Sequence, residues 1–127
     1  MKKLIYSVAV LMMITMAISC KKDKAISITG FWTGSGVNNG SSTSIPLSVL
    51  YSGSNTARAY LASADTSMAI KVNGTYSIDA DSVRTTVSLG SDATLFVGKL
   101  NSSNTQMSGT FRSLTNATRG TWSVTKI

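Results

Sequence analysis

Apolar and polar side chains alternate along most of the chain after its first 24 residues. One such segment places Ile45, Leu47, Val49 and Tyr51 on one side, with Pro46, Ser48 and Leu50 between them. A period of two predicts a strand with one buried face. Short segments of this kind, separated by turns rich in Asn, Gly, Ser and Asp, predict an all-β barrel or sandwich.

The pair Asn73-Gly74 decides the number of strands. Asn-Gly usually forms a hairpin turn, which gives nine strands. If it is instead a glycine bulge within one bent strand from Met68 to Ile78, the count is eight. Only an even number lets the first and last strands of an all-hairpin barrel close antiparallel. We therefore predict a single small antiparallel up-and-down β-barrel of about eight strands, with an open sandwich as the alternative.

A glycine two residues before an aromatic residue recurs in four of the predicted strands. Both residues then share a face, and the glycine leaves room for the ring against the neighbouring backbone. Two of these aromatic residues lie on the first and last strands, which a barrel brings together. We interpret the aromatic side chains as core, with a ligand cage as the alternative. The candidates are Trp32, Tyr51, Tyr76, Phe111 and Trp122.

The first residues have the pattern of a bacterial export signal. Met1-Lys2-Lys3 is positively charged, the run from Leu4 to Ala17 is mostly apolar, and small residues lie three and one positions before Cys20. This pattern predicts a signal peptide, cleaved between Ser19 and Cys20. The apolar run is shorter than the ~20 residues that a membrane-spanning helix needs, so an uncleaved anchor is the weaker alternative.

Cys20 is the single cysteine of the chain, which excludes an internal disulfide. The segment Ala17-Ile18-Ser19-Cys20 resembles the lipobox of bacterial lipoproteins, whose cysteine carries a thioether-linked diacylglycerol and an amide-linked acyl chain such as palmitate. The resemblance implies lipidation of Cys20 and a stable membrane anchor, because two or more acyl chains suffice for one. Ordinary secretion with a free thiol is the alternative.

These predictions divide the chain into a signal peptide at 1–19, a lipidated tether at 20–26 and a β-barrel domain at 27–127. We expect a lipoprotein of the cell envelope, held in the outer membrane. The tether has one acid, Asp23. That is fewer than in the acidic export signal of surface lipoproteins in the group that the chain resembles, so we favour the periplasmic face.

The net charge of +7 does not indicate a nucleic-acid partner. Four of the seven units belong to the signal peptide and tether, and from Ala25 onward seven Lys and Arg against four Asp leave a scattered +3. Nucleic-acid binding requires a dense basic face. We therefore expect a membrane partner through the lipid and no nucleic acid.

Most residues of common catalytic sites are absent. The chain has no His and no Glu, which excludes Ser-His-Asp and Cys-His arrangements. Asp79 and Asp81 are the only close pair of carboxylates, and we interpret them as a hairpin turn rather than a calcium site, because too few oxygen ligands accompany them. We expect a non-enzymatic protein with no cofactor and no metal.

Gly30-Phe31-Trp32 in the first strand resembles the Gly-x-Trp signature of the lipocalin superfamily. There the tryptophan closes the barrel base and packs against an arginine, which implies a cation–π pair of Trp32 with Arg119, or secondarily Arg112. The Thr-Asp-Tyr segment, disulfide and C-terminal helix of lipocalins are missing. As a whole, the chain is similar to small lipocalin-like lipoproteins of Bacteroidota-type bacteria.

Two functions remain open from the sequence. The barrel could bind a small apolar ligand such as a fatty acid or retinoid. Alternatively, its interior is filled, and the protein is an envelope accessory or protein-interaction module, including an inhibitor. The second function is indicated by the strand at Leu95–Val97, which is apolar on both faces. It places Phe96 or its neighbours outside the barrel, with Leu50 and Tyr60 as further members of a patch.

Overall fold

The computed structural model describes residues 25–127, so the predictions for the signal peptide, Ser19 and Cys20 lie outside the described part. Within that part the regular structure is entirely β, and no helix has the length and apolar character to cross a membrane. The eight strands are β1 (Gly30–Asn38), β2 (Ser44–Tyr51), β3 (Thr56–Leu61), β4 (Ile70–Asp79), β5 (Ser82–Leu89), β6 (Asp92–Leu100), β7 (Gln106–Ser113) and β8 (Arg119–Lys126).

The strands form one closed antiparallel barrel in chain order. The first and last strands pair along seven positions, from Trp32 opposite Lys126 to Asn38 opposite Gly120. This closure confirms the predicted eight-stranded up-and-down barrel and excludes the open sandwich. The even strand count produces an antiparallel seam, as expected.

Asn73-Gly74 lies inside β4, not in a turn. The β4 register with β3 and with β5 continues through both residues without an extra residue, so the expected bulge is wrong although the strand count is right. Gly74 is required for a different reason: a Cβ at this position would overlap the carbonyl group of Thr86 on β5. The glycine allows two strands to approach closely where the sheet curves.

The two ends of the barrel differ. At one end, here called the base, the β2–β3, β4–β5 and β6–β7 connections meet, and residues 25–29 precede β1. Ile28 is buried there. At the other end, here called the open end, the β1–β2, β3–β4, β5–β6 and β7–β8 connections meet. The chain therefore enters the barrel at the base.

The core consists of the inward side chains of all eight strands together with Ile28. The sequence left open whether Phe96 or its neighbours point outward from strand β6, and in the structure Phe96 points inward and packs against Phe111 and Trp122. Its neighbours Leu95 and Val97 lie at the alternate, outward positions of the strand. The buried apolar residues are Ile28, Trp32, Leu47, Val49, Tyr51, Ala57, Ala59, Val72, Tyr76, Val83, Val87, Leu100, Met107, Trp122 and Val124.

Candidate functional site

Three of the five aromatic candidates fill the lower half of the barrel. The rings of Trp32 and Tyr51 meet edge to face at 6.4 Å between centroids, and those of Tyr51 and Tyr76 do so at 5.0 Å. The Trp32 indole Nε1 donates a hydrogen bond of 2.8 Å to the carbonyl oxygen of Ile28. This bond holds the segment before β1 at the base. Trp32 therefore packs in the core and also fixes the position of Ile28.

The cation at Trp32 is not the predicted one. Lys126 Nζ lies 5.7 Å from the centroid of the Trp32 ring. Arg119 begins the same strand, but it is paired with Arg112 at the open end, so the predicted Trp32–Arg119 contact is wrong. The register explains the difference, because β8 runs antiparallel to β1 and brings its last residue, not its first, opposite Trp32.

The tyrosine hydroxyl groups at the base are both bonded within the fold. Tyr51 Oη lies 2.9 Å from Thr85 Oγ1, and Tyr76 Oη donates a hydrogen bond of 2.7 Å to the Ser52 carbonyl oxygen. Burial raises the pKa of Tyr51 to about 12, against a smaller opposing effect of the hydrogen bond with Thr85. Among the described residues, no buried side-chain polar atom lacks a partner. The lower half of the barrel is therefore a packed core whose buried polar groups are all hydrogen-bonded.

The remaining two aromatic candidates belong to the upper half. Phe111 and Trp122 both contact the inward Phe96, with ring centroids 5.5 Å and 5.6 Å from it. Gly98 makes room for Trp122, since a Cβ at Gly98 would lie 2.5 Å from Cζ2 of that ring. A glycine thus makes room for a ring, as the sequence pattern predicts, but here the glycine lies on β6 and the ring on β8, with Gly109 of β7 paired to both.

A cavity of about 180 Å³ remains above these rings, at the open end. Phe111 is the only one of the five aromatic candidates that lines it. The other walls come from residues that the sequence analysis did not select as a site, and several of them, such as Asn38, Ile45 and Leu61, lie at or near the end of a strand, where alternation does not tell a core position from a rim position. The lining residues are Gly36, Asn38, Ile45, Pro46, Leu47, Leu61, Ala62, Thr94, Phe96 and Phe111.

Exposed apolar side chains surround the same end. Of the seven large apolar residues that the described part of the chain exposes, five lie at the ends of strands or in loops around the cavity. Met68 is 79% exposed and Leu89 54% exposed, so this end of the barrel carries apolar surface outside the cavity as well. These five residues, here called the apolar rim, are Ile45, Met68, Ile70, Leu89 and Leu114.

The outer wall has a smaller apolar patch near the base. Phe31 and Tyr60 meet edge to face at 6.0 Å, and Leu50 lies directly opposite Phe31 on the neighbouring strand. Ser48 is buried beneath them and shares a hydrogen bond of 3.0 Å with Thr33. Leu50 and Tyr60 thus occupy the outward positions expected from the sequence.

The aspartate pair has a structural role at the base. Ala80 and Asp81 form the two-residue connection between β4 and β5, with Ala80 at a positive φ of 54°. Asp81 Oδ2 lies 3.4 Å from Lys99 Nζ on exposed surface. The predicted hairpin turn is confirmed, and the described residues include no group of three or more potential metal ligands.

The comparisons with known proteins place the chain in no family: no protein-family model matches it, and no curated protein does. The fold and the site therefore define the class of protein, a small closed β-barrel with a filled base and an apolar cavity at its open end.

Proposed function

We propose that this protein is a non-enzymatic lipoprotein of the bacterial envelope whose lipocalin-like barrel binds a small apolar ligand at its open end. The observation that supports this most directly is the cavity of about 180 Å³, whose lining contains only two polar side chains, Asn38 and Thr94. Ligand sites are typically apolar clefts with a few polar groups that orient the ligand.

The volume limits the ligand. A buried apolar cavity of about 150 Å³ binds benzene, whereas drug-sized ligands occupy about 300–1,000 Å³. The cavity here, at about 180 Å³, matches one ring or a short branched chain. A fatty acid or retinoid would leave most of its length on the apolar rim, so these ligands of the sequence-based expectation are replaced by smaller ones.

The test uses tryptophan emission with toluene as the probe and a long-chain fatty acid as the comparison. Trp122 contacts Phe96 of the cavity wall, and Trp32 lies at the base, so emission should change through Trp122 alone. Trp122→Phe should abolish the change. Leu61→Phe fills the cavity and should abolish binding, while Leu50→Phe adds the same ring on the outer wall and should not. Equal toluene responses in both leucine variants would refute ligand binding in the cavity.

The lipoprotein part of the proposal rests on the sequence around Cys20 and has a separate test. Cys20→Ser should move the protein from the membrane fraction to a soluble one, and the unchanged protein should incorporate labelled palmitate. A Cys20→Ser protein that stays in the membrane fraction would argue against the anchor. Protease treatment of intact cells distinguishes the proposed periplasmic face from the cell surface.

The apolar rim supports a second candidate function, an envelope accessory or protein-interaction module. Exposed apolar patches of a few hundred Å² mark interaction sites on soluble proteins. A photo-crosslinking residue at Leu89 on the rim should then give one discrete protein adduct in cells, and the same residue at Leu50 serves as the control. Leu61→Phe should leave this adduct intact, because it alters the cavity but not the rim.

A further inference from the structure

Two arginines face each other across the last hairpin of the barrel. Arg112 on β7 is the direct register partner of Arg119 on β8, and both side chains are exposed on the outer wall at the open end. Side chains at directly opposite positions lie about 4.5–5.5 Å apart at Cβ, and like charges there destabilise the sheet. The pair is therefore locally unfavourable, and an anion bound between the two guanidinium groups would relieve this repulsion.

No carboxylate within residues 25–127 neutralises this pair. The one ion pair in that part of the chain joins Lys99 and Asp81 at the base. One aspartate, Asp92, contacts the β7–β8 loop between the two arginines. Its Oδ1 accepts a hydrogen bond of 2.9 Å from Thr115 Oγ1. Asp92 thus contacts the loop without forming an ion pair with either arginine.

The two arginines line an open depression of about 270 Å³ together with the loop that joins their strands. The loop is held by its own oxygens: Ser113 Oγ accepts from the amides of Thr115 and Asn116, and Asn116 Oδ1 accepts from the Thr118 amide at 2.8 Å. These bonds use oxygen acceptors. The Asn116 side-chain NH₂ and the Ala117 amide have no acceptor among the described residues, which leaves donors beside the guanidinium groups.

We propose that this depression, here called the arginine site, binds a phosphate group. Guanidinium groups present paired N–H donors that match the oxygens of phosphate and carboxylate. A phosphate monoester carries close to two negative charges at neutral pH, so it neutralises both arginines, whereas one carboxylate neutralises half of their charge. The arginine site lies on the outer wall and is separate from the apolar cavity inside the barrel.

The test measures the thermal unfolding midpoint in inorganic phosphate and in chloride at matched ionic strength. Phosphate should raise the midpoint of the unchanged protein in a saturable way. Arg119→Gln should weaken phosphate binding by roughly tenfold or more, since it removes one of the two guanidinium groups that donate charge-assisted hydrogen bonds to the phosphate. The same variant should have a higher midpoint than the unchanged protein in chloride, because the repulsion between the arginines is gone.

Arg84→Gln is the matched control. Arg84 is exposed on the outer wall of β5, opposite Ser77 and Val97, and has no arginine neighbour in the register. This variant removes the same charge and should keep the full phosphate response. If Arg84→Gln loses as much response as Arg119→Gln, or if phosphate and chloride act alike on the unchanged protein, the arginine site is wrong. If Arg119→Gln folds poorly, Arg112→Gln replaces it and should weaken phosphate binding in the same way. In the unchanged protein, phosphate should also shift the amide NMR signal of Ala117, and an unshifted signal would count against the arginine site.

Two further measurements identify the source of the phosphate group. Glycerol phosphate presents it in solution, and vesicles containing phosphatidic acid present it on a lipid surface. Binding to both shows that the phosphate group alone is recognised, and binding to the vesicles alone assigns a lipid headgroup. In either case Arg112→Gln must reduce the binding, and binding that Arg112→Gln leaves unchanged would overturn the proposal.

Discussion

Tyr51 and Thr85 share a hydrogen bond of 2.9 Å between their hydroxyl oxygens in the buried lower half of the barrel. The two residues lie on strands β2 and β5, which are not neighbours in the sheet, so the bond crosses the interior. It is a buried side-chain hydrogen bond between two strands that do not pair in the sheet.

This bond predicts a strong coupling between the two positions. Tyr51→Phe leaves the buried Thr85 hydroxyl without its partner, and Thr85→Val does the same to Tyr51. Each single change should lower the free energy of unfolding by about 1–3 kcal/mol. The double variant should lose less than the sum of the two, by about 0.5–3 kcal/mol. Urea unfolding of the four proteins measures this cycle, and additive losses would show that the contact contributes nothing.

The raised pKa of Tyr51 predicts a loss of stability in alkali. Burial raises this pKa from 10.0 to about 12, so the unfolded chain releases the phenolic proton first. The stability contribution is complete below pH 10 and is lost as the pH rises toward 12, by about 2–3 kcal/mol in total. Unfolding free energies across this pH range measure the loss. Tyr51→Phe should show a shallower decline, and an equally steep one would assign the effect to other groups.

Contact between Gly98 and the Trp122 ring predicts a sharp difference between two glycines. Gly98→Ala places a Cβ 2.5 Å from Cζ2 of that ring, which has little room to move among Phe96 and Met107. Overpacking of this kind should lower the free energy of unfolding by about 1–3 kcal/mol. Gly53→Ala is the control, because nothing lies within 4 Å of its added Cβ. Thermal unfolding compares them, and similar midpoints would contradict the close packing of Trp122.

The cation at Trp32 predicts opposite outcomes at the two ends of β8. Lys126→Gln should lower the free energy of unfolding by about 0.5–1 kcal/mol, since a cation over an aromatic ring contributes about that much at a partly exposed site. Arg119→Gln should not lower it, because Arg119 lies at the other end of the strand. Lys71→Gln on the outer wall controls for loss of charge. If Arg119→Gln lowered the free energy of unfolding as much as Lys126→Gln, the result would favour the Trp32–Arg119 contact expected from the sequence.

Much of the architecture follows from alternation alone, and the exceptions have local causes. The inward positions of Leu47, Val49 and Val87 were predictable because each lies within a strand whose apolar residues recur at every second position. Phe96 was ambiguous, because Leu95 and Val97 are also apolar and a period of two then gives no preferred face. The structure resolves this ambiguity through the Gly98–Gly109 pair on the same inward face, which opens space for large rings beside it.

The candidate site was less accessible to sequence reasoning than the core. A cavity is the volume that side chains do not fill, and it depends on the curvature of the sheet and on loop positions that alternation does not encode. Leu61 and Ile45 have the same pattern as core residues, yet they line the cavity because their strands end there. The cation partner of Trp32 likewise required the register of β1 with β8, which sets Lys126 opposite it.

The attachment of the N-terminal segment at the base has a consequence for ligand supply. If Cys20 holds the lipid, the five residues from there to Ala25 span at most about 18 Å. The ten residues of β4, tilted as in other barrels, span about 25 Å. The segment from Cys20 to Ala25 is therefore shorter than the barrel is tall, and it is too short to let the barrel turn over so that its open end rests on the bilayer. The mouth of the cavity then cannot be pressed directly onto the anchoring bilayer, so the proposed ligand would enter the cavity from the aqueous side.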